Sequence, residues 1–206
     1  MWCSTHWCVK SRLLLGILCL GLVGSNWANT VDVTRSDGRG SVQAEATNTR
    51  GHPQLPGSRL QGEATLRFWG WSIYQARLWT LPDFRPDRMS EQPLVLELEY
   101  LRDFAGKSIA ERSLQEMRRA GDIPAVSAQR WLQEMQRVFP DVRKGDRLTG
   151  AWLPSQGARF WYNDRPVGAV DDPEFARRFF GIWLAPTTSE PDLRLELLGM
   201  AALQNR

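Results

Sequence analysis

Between Arg59 and Arg206 the chain has no cysteine and no histidine. Its three cysteines, Cys3, Cys8 and Cys19, lie in the first 28 residues with His6, and the second histidine, His52, precedes position 59. A thiol nucleophile, a thiolate metal site, a disulfide and a redox role all need cysteine, so the C-terminal part can have none of them. A Ser-His-Asp triad and a His- or Cys-based zinc centre are excluded there too. Acid-base work would fall to Tyr, Lys, Asp, Glu or a bound water. No cofactor and no metal are expected. Lysine is also scarce: beyond residue 28 only Lys107 and Lys144 occur, and arginine carries the rest of the positive charge. The formal net charge of +3 falls to +1 once Lys10 and Arg12 are set aside. With no basic block, nucleic acid is not an expected partner.

The N-terminus reads "MWCSTHWCVKSRLLLGILCLGLVGSNWANT". Lys10 and Arg12 precede an apolar run over residues 13–24, and small residues follow it. A run of this length is too short for a stable span, which needs about 20 residues. The pattern predicts a secretory signal peptide over 1–28, cut after Ser25 or Ala28. The mature chain is then periplasmic or secreted, with no membrane span after cleavage. Residues 29–58 are rich in Thr, Ser, Gly, Asn and Pro and contain no aromatic residue. They read as a flexible linker, with His52 an incidental surface residue. One domain is expected over 59–206.

Inside that domain the hydrophobic period changes several times. "LQGEATLRF" and "SIYQARLW" alternate with period two, which argues for two strands turning near Gly70. "LVLELEYL" places Leu94, Leu96, Leu98 and Tyr100 on one face and Glu97 and Glu99 on the other, the second face expected to be wet. Helical spacing follows over 107–121 and 127–139, the second helix starting on a Ser127 cap. A three-stranded meander is expected between 146 and 170, with Asn163 and Asp164 as a hairpin turn. Asp172, Pro173 and Glu174 then form a strong helix start. "PDLRLELL" is a last helix, ending at Gly199. The order predicts an α+β fold, one antiparallel sheet with helices on one face.

The ordered segments "LRFWGWSIYQARLW", "LELEYLRDFAGKSIAERSLQEM", "FPDVRKGDRLTGAWLPSQGARFWYNDRPVGAVDDPEFARRFFGIWL" and "LRLELLG" together resemble the bacterial chalcone-isomerase-like family over residues 60–200. The resemblance implies an open-faced β-sandwich with a cleft between sheet and helices. Plant enzymes of this fold close a chalcone to a flavanone by intramolecular oxa-Michael addition, using an arginine on an early strand with hydroxyl and amide groups. Relatives without that activity bind fatty acids, with an arginine and a tyrosine holding the carboxylate. Carried onto this chain, the early arginine falls on Arg67 or Arg59. The strand hydroxyl falls near Trp69, the helix tyrosine falls within 104–107, and the helix asparagine falls near Arg112. None of these three positions keeps the enzymes' polar group.

The resemblance therefore implies a binding protein for a small apolar, anionic molecule, fatty-acid-like or phenolic. The candidate ligand residues are Arg67, Tyr74, Arg102 and Thr187, with no catalytic residue assigned. Arg67 is either a guanidinium at a pocket mouth or a solvent-facing arginine. Tyr74 either offers its hydroxyl to an oxyanion or is a core tyrosine with a partner. Arg102, beside Asp103, either faces ligand or joins a structural ion pair. Thr187 and Thr188 either approach ligand or cap a loop. The "FWGW" rings read as an apolar ligand wall or core. Two other functions stay open. One is a cofactor-free isomerase or intramolecular lyase, with Arg67 steadying an oxyanion. The other is an envelope interaction module, which a closed cleft with an exposed tryptophan patch would favour.

Overall fold

Alternation along the strands and apolar stripes on the helices produce a two-layer structure. The computed structural model describes residues 51–201. The expected signal peptide and most of the expected linker lie outside these residues. Six strands run in chain order across one antiparallel sheet: β1 Arg59–Phe68, β2 Trp71–Thr80, β3 Leu94–Tyr100, β4 Arg147–Leu153, β5 Gly157–Tyr162 and β6 Arg165–Val170. Helices α1 Gly106–Met117 and α2 Ala125–Val138 connect β3 to β4, and α3 Pro173–Leu184 and α4 Pro191–Leu197 follow β6. This is the expected α+β, open-faced arrangement.

Directly paired residues show which rows face the helices. One inner row is Gly62, Leu78, Leu96, Gly150, Phe160 and Gly168. A second is Ala64, Ala76, Leu98, Leu148 and Tyr162. Leu66, Tyr74 and Tyr100 form a third. Gly62 lets α4 lie directly on β1, because a Cβ there would meet the carbonyls of Glu196 and Leu197. The helices return Leu114 and Met117 from α1, Trp131, Met135 and Val138 from α2, and Phe175, Phe179, Phe180 and Trp183 from α3. Phe160 lies 5.2 Å from the Phe139 ring and 5.3 Å from the Phe179 ring, both edge-on. Such pairs add about 0.5–1.5 kcal/mol beyond their buried area.

Local signals set the helix starts. Asp172 caps α3 as expected, its carboxylate accepting from the Glu174 and Phe175 amides at 3.0 and 3.1 Å. Its second oxygen accepts Trp131 Nε1–H at 2.8 Å and pairs with Arg130, so the same side chain fastens α3 to α2. Ser127 is not a cap. The helix starts two residues earlier, behind Pro124, whose extended backbone bars helix before it and whose carbonyl accepts the Ala128 amide.

The outer face differs most from expectation. Glu97 is buried, not wet, and Glu99 is half-buried. Arg77, directly between Glu63 and Glu97 in the sheet, donates from one guanidinium nitrogen to Glu97 at 3.1 Å and to Glu99 at 3.2 Å. Arg147 adds a charge 3.8 Å from Glu97. His52 is buried as well, which corrects its reading as an incidental surface residue. Its amide donates to Ser58 Oγ and its Nδ1 accepts from the Gln54 amide. With Nδ1 accepting, Nε2 carries the ring N–H and turns it toward Glu97 at 3.7 Å, a long contact. The ring also packs against Trp79 at 5.7 Å. His52 therefore covers the outer face at Glu97 and Trp79.

The Glu97 carboxyl is held below the usual carboxylate range, by His52 first and then by Arg77 and Arg147, against the opposing effect of burial. A depressed folded-state pKa contributes stability above the unfolded value, about 4.3, and loses it as pH falls through the folded value. Glu97→Gln is therefore expected to lower stability at pH 7 and to flatten the loss of stability as pH falls below the unfolded value of about 4.3. Urea unfolding at stepped pH measures both effects. Asp172→Ala is expected to cost about 2–3 kcal/mol, combining a lost cap with a stranded indole N–H. Asp172→Asn, which keeps a capping oxygen, should recover part of that loss in the same assay.

Candidate functional site

The space between sheet and helices narrows to a small apolar cavity under α3. Leu96, Leu98, Leu148, Gly150 and Phe160 form its floor, and Phe179, Phe180 and Trp183 form its roof. Gly150 makes the room: a Cβ there would come within 3.2–3.3 Å of the Phe180 and Phe160 rings. The free volume is only about 10 Å³, on the order of one water-sized sphere. Sites for small organic ligands usually enclose about 300–1,000 Å³. In this conformation the helix layer is closed over the sheet.

Polar groups gather at one edge of the cavity. Trp183, part of the roof, donates its indole N–H to the Tyr74 hydroxyl at 2.8 Å. Tyr74 is half-buried as a whole, but its hydroxyl lies deep. Burial pushes its pKa well above the ordinary value against the opposing Trp183 bond, and Glu190 and Glu116 push the same way. The neighbouring Tyr100 ring, 6.1 Å away and edge-on, is likewise held neutral by its burial. Two protonated phenols thus lie side by side, Tyr74 reaching the cavity edge through Trp183. They can donate hydrogen bonds to an oxygen, and neither can serve as a base near neutral pH. Among the described residues, the Tyr74 hydroxyl proton has no acceptor.

Charges on α1 and the loop joining α3 to α4 close this edge. The buried Glu116 carboxylate accepts from Ser189 Oγ at 2.9 Å and pairs with Arg119 at 2.8 Å. Arg112 lies 2.7 Å from its other oxygen, which still lacks a well-aligned hydrogen bond. Thr188 donates to the Ile182 carbonyl at 2.6 Å and accepts the Glu190 amide, so it caps the loop. Thr187 is exposed.

Of the four residues expected to meet a ligand, the structure brings only Tyr74 to the cavity, and that through Trp183. Arg67 is exposed near the end of β1 and pairs across the hairpin with Ser72. Leu66 pairs directly with Tyr74, so the next residue of β1, Arg67, falls on the opposite face and does not converge with Tyr74. Arg102 is exposed and makes no ion pair among the described residues. Its guanidinium stacks 4.5 Å over the Trp71 ring. Asp103 instead accepts the Lys144 amide. The "FWGW" rings are neither core nor cavity wall: Phe68, Trp69 and Trp71 are 62, 87 and 63% exposed. Sequence reasoning missed Tyr100 and Trp183 as partners of Tyr74. Tyr100 was legible only as an inner-face residue of β3, and the Tyr74–Trp183 pair joins positions 109 residues apart.

Comparison with known proteins fits this geometry. A curated protein of Haemophilus influenzae, described as uncharacterized, is 36% identical over 110 residues, which make up 53% of this chain. The chain spans about half, 54%, of that relative's length. Among solved structures, an Arabidopsis thaliana fatty-acid binding protein superposes with a TM-score of 0.51 at 10% identity, covering 74% of this chain and 98% of that one. At this identity the likeness concerns the fold. The model of the chalcone isomerase-like family matches residues 59–199, which include every strand and helix described above. The chain belongs to the chalcone isomerase-like family.

Proposed function

We propose that this domain binds one small, largely apolar molecule that presents an acidic or carbonyl oxygen, fatty-acid-like or phenolic, between the inner face of the sheet and α3. The observation that carries this reading is the Tyr74 hydroxyl. It is buried, neutral, fixed by Trp183 and, among the described residues, left with an unused proton at the edge of a cavity whose other walls are apolar. An apolar enclosure with one or two aimed polar groups is the usual make-up of a small-molecule site. The fatty-acid binding of the Arabidopsis neighbour agrees with it. Admission requires movement, because the present volume takes no such ligand. Trp183 is the natural gate, since turning its indole opens the roof and frees the Tyr74 hydroxyl in one step.

Binding is favoured over ring closure by two features. Arg67 stands apart from Tyr74, so the guanidinium that the resemblance implies does not meet the phenol. Tyr74 and Tyr100 are held protonated and supply no base. A second reading, an interaction surface at the β1–β2 turn, is favoured by the exposed Trp69 and Trp71 over a closed cavity. We also propose that the chain acts outside the cytoplasm, on the strength of Lys10, Arg12 and the apolar residues 13–24.

Solvent extraction of purified protein, followed by mass spectrometry, is expected to recover a bound apolar acid. Titration with long-chain fatty acids or hydroxychalcones should give saturable quenching of tryptophan emission. Tyr74→Phe should weaken that binding by about tenfold, the scale of one hydrogen bond to a charged group. An empty protein that no such ligand quenches or thermally stabilises would remove the proposal. For export, N-terminal sequencing of the secreted or periplasmic fraction should begin at Asn26 or Asn29. An intact Met1 there would reject cleavage.

A further inference from the structure

Two hairpins of the sheet turn through two-residue loops, and they solve the same problem differently. Both central residues of each loop have positive φ: Asn163 and Asp164 at 46° and 67°, Trp69 and Gly70 at 52° and 80°. Such turns favour Asn-Gly or Asp-Gly, because short polar side chains and glycine tolerate this region. A bulky aromatic residue at φ 52° is a backbone outlier. Trp69 also leaves 87% of its surface in contact with solvent. The position thus carries conformational strain and apolar exposure together, and neither serves the fold. Strain of this kind is found where a side chain has a role outside the fold.

The surroundings of the turn are cationic. The antiparallel order places the β1–β2 turn, the residues after β3 and the residues before β4 at one end of the sheet. Arg67, Arg102, Arg143, Lys144 and Arg165 are all exposed at this end, and none forms an ion pair among the described residues. The three nearby acids are engaged. Asp103 holds the Lys144 amide, Asp164 pairs with Arg147, and Asp146 holds Tyr162, Asn163 and the Arg143 amide. Arg102, stacked on Trp71, puts a cation directly against the aromatic group.

We propose that this end of the sheet docks on an anionic phospholipid bilayer, with Phe68, Trp69 and Trp71 at headgroup depth and the arginine and lysine rim on the lipid phosphates. The proposal rests on the interaction-surface reading and names its partner. Tryptophan, with an apolar body and a polar N–H, suits the membrane interface, and nearby cations add attraction to anionic lipid. Three rings at the end of a hairpin also form a small, projecting contact. A stable protein interface buries on the order of 1,200–2,000 Å², far more than such a tip offers alone.

The test is oxidative footprinting of the full chain read residue by residue, because the apolar residues 13–24 could bring the protein to vesicles by themselves. With phosphatidylcholine:phosphatidylglycerol vesicles at low salt, labelling of Trp69 and Trp71 should fall several-fold. With pure phosphatidylcholine, or at 0.5 M salt, it should return to the lipid-free level, because screening removes the charge attraction. Trp69→Asn suits the turn and should keep or raise the melting temperature while abolishing protection at Trp71. Arg102→Gln should raise the anionic-vesicle concentration needed to protect Trp69 and Trp71 by about fivefold. Unchanged labelling of both tryptophans on anionic vesicles overturns the proposal, even if the chain sediments with them. Protection that instead appears without lipid as protein concentration rises assigns the patch to a second copy. That outcome overturns the lipid partner and leaves the interaction surface standing.

Discussion

A sheet with helices on only one side has one face to bury and one face to pacify. Without cysteine beyond residue 28, the described domain has no covalent staple. Everything then depends on how well α3 seals the inner face, and the seal is aromatic. Phe175, Phe179, Phe180 and Trp183 occupy successive inward positions of α3, and Phe160 and Trp152 meet them from the sheet. Trp152 stacks on Phe180 at 5.5 Å, and Phe179 touches Phe160, Phe175, Phe180 and Trp183. Glycines of one inner row make room for the layer above, Gly150 for the Phe180 and Phe160 rings, Gly62 for the α4 backbone and Gly168 for Val138 of α2. The residual cavity is what remains where Gly150 meets that aromatic layer.

The outer face is handled by charge. A row of acids on β3 would repel itself if left alone, and burying Glu97 would be costly without partners. Arg77 sits directly opposite Glu97 across the β2–β3 pairing and reaches Glu99 diagonally, and Arg147 closes on Glu97 from β4. His52 then covers this cluster at Glu97. A lone exposed ion pair contributes little, typically 0–1 kcal/mol. A shared, half-buried guanidinium differs in kind, because removing one member strands the others. The cluster fixes the β2–β3–β4 register on the side that the helices cannot reach.

What was legible in the sequence follows from the range of the interaction behind each feature. Alternation in "LVLELEY" and the Asp172–Pro173–Glu174 start are local signals, and both strand and cap form where expected. The order of elements, combined with the family resemblance, gave the fold class. The failures are non-local. Glu97 alternates like a solvent-facing residue, and only the distant Arg77, Arg147 and His52 make its burial tolerable. Arg67 was placed by the family resemblance with its face left open, and the pairing of Leu66 with Tyr74 on the inner side puts the next residue, Arg67, on the other. Tyr74 was recognised, but its partner lies on α3, too distant in the chain for any pattern to connect them.

Tyr74 also shows why a packed cavity and a binding role are compatible. The closed state holds Trp183 by one hydrogen bond and by ring contacts to Phe179. A neutral hydrogen bond contributes about 0.5–1.5 kcal/mol net, and an aromatic pair contributes a similar amount. Releasing the indole therefore costs a few kcal/mol, less than burial of one alkyl chain returns at about 0.8 kcal/mol per CH₂ group. A ligand of only a few carbons would not offset that cost, whereas a long chain would. Under the proposed binding function, the closed aromatic seal would act as a length filter, keeping the apolar interior and the Tyr74 proton covered until a ligand large enough to replace Trp183 arrives.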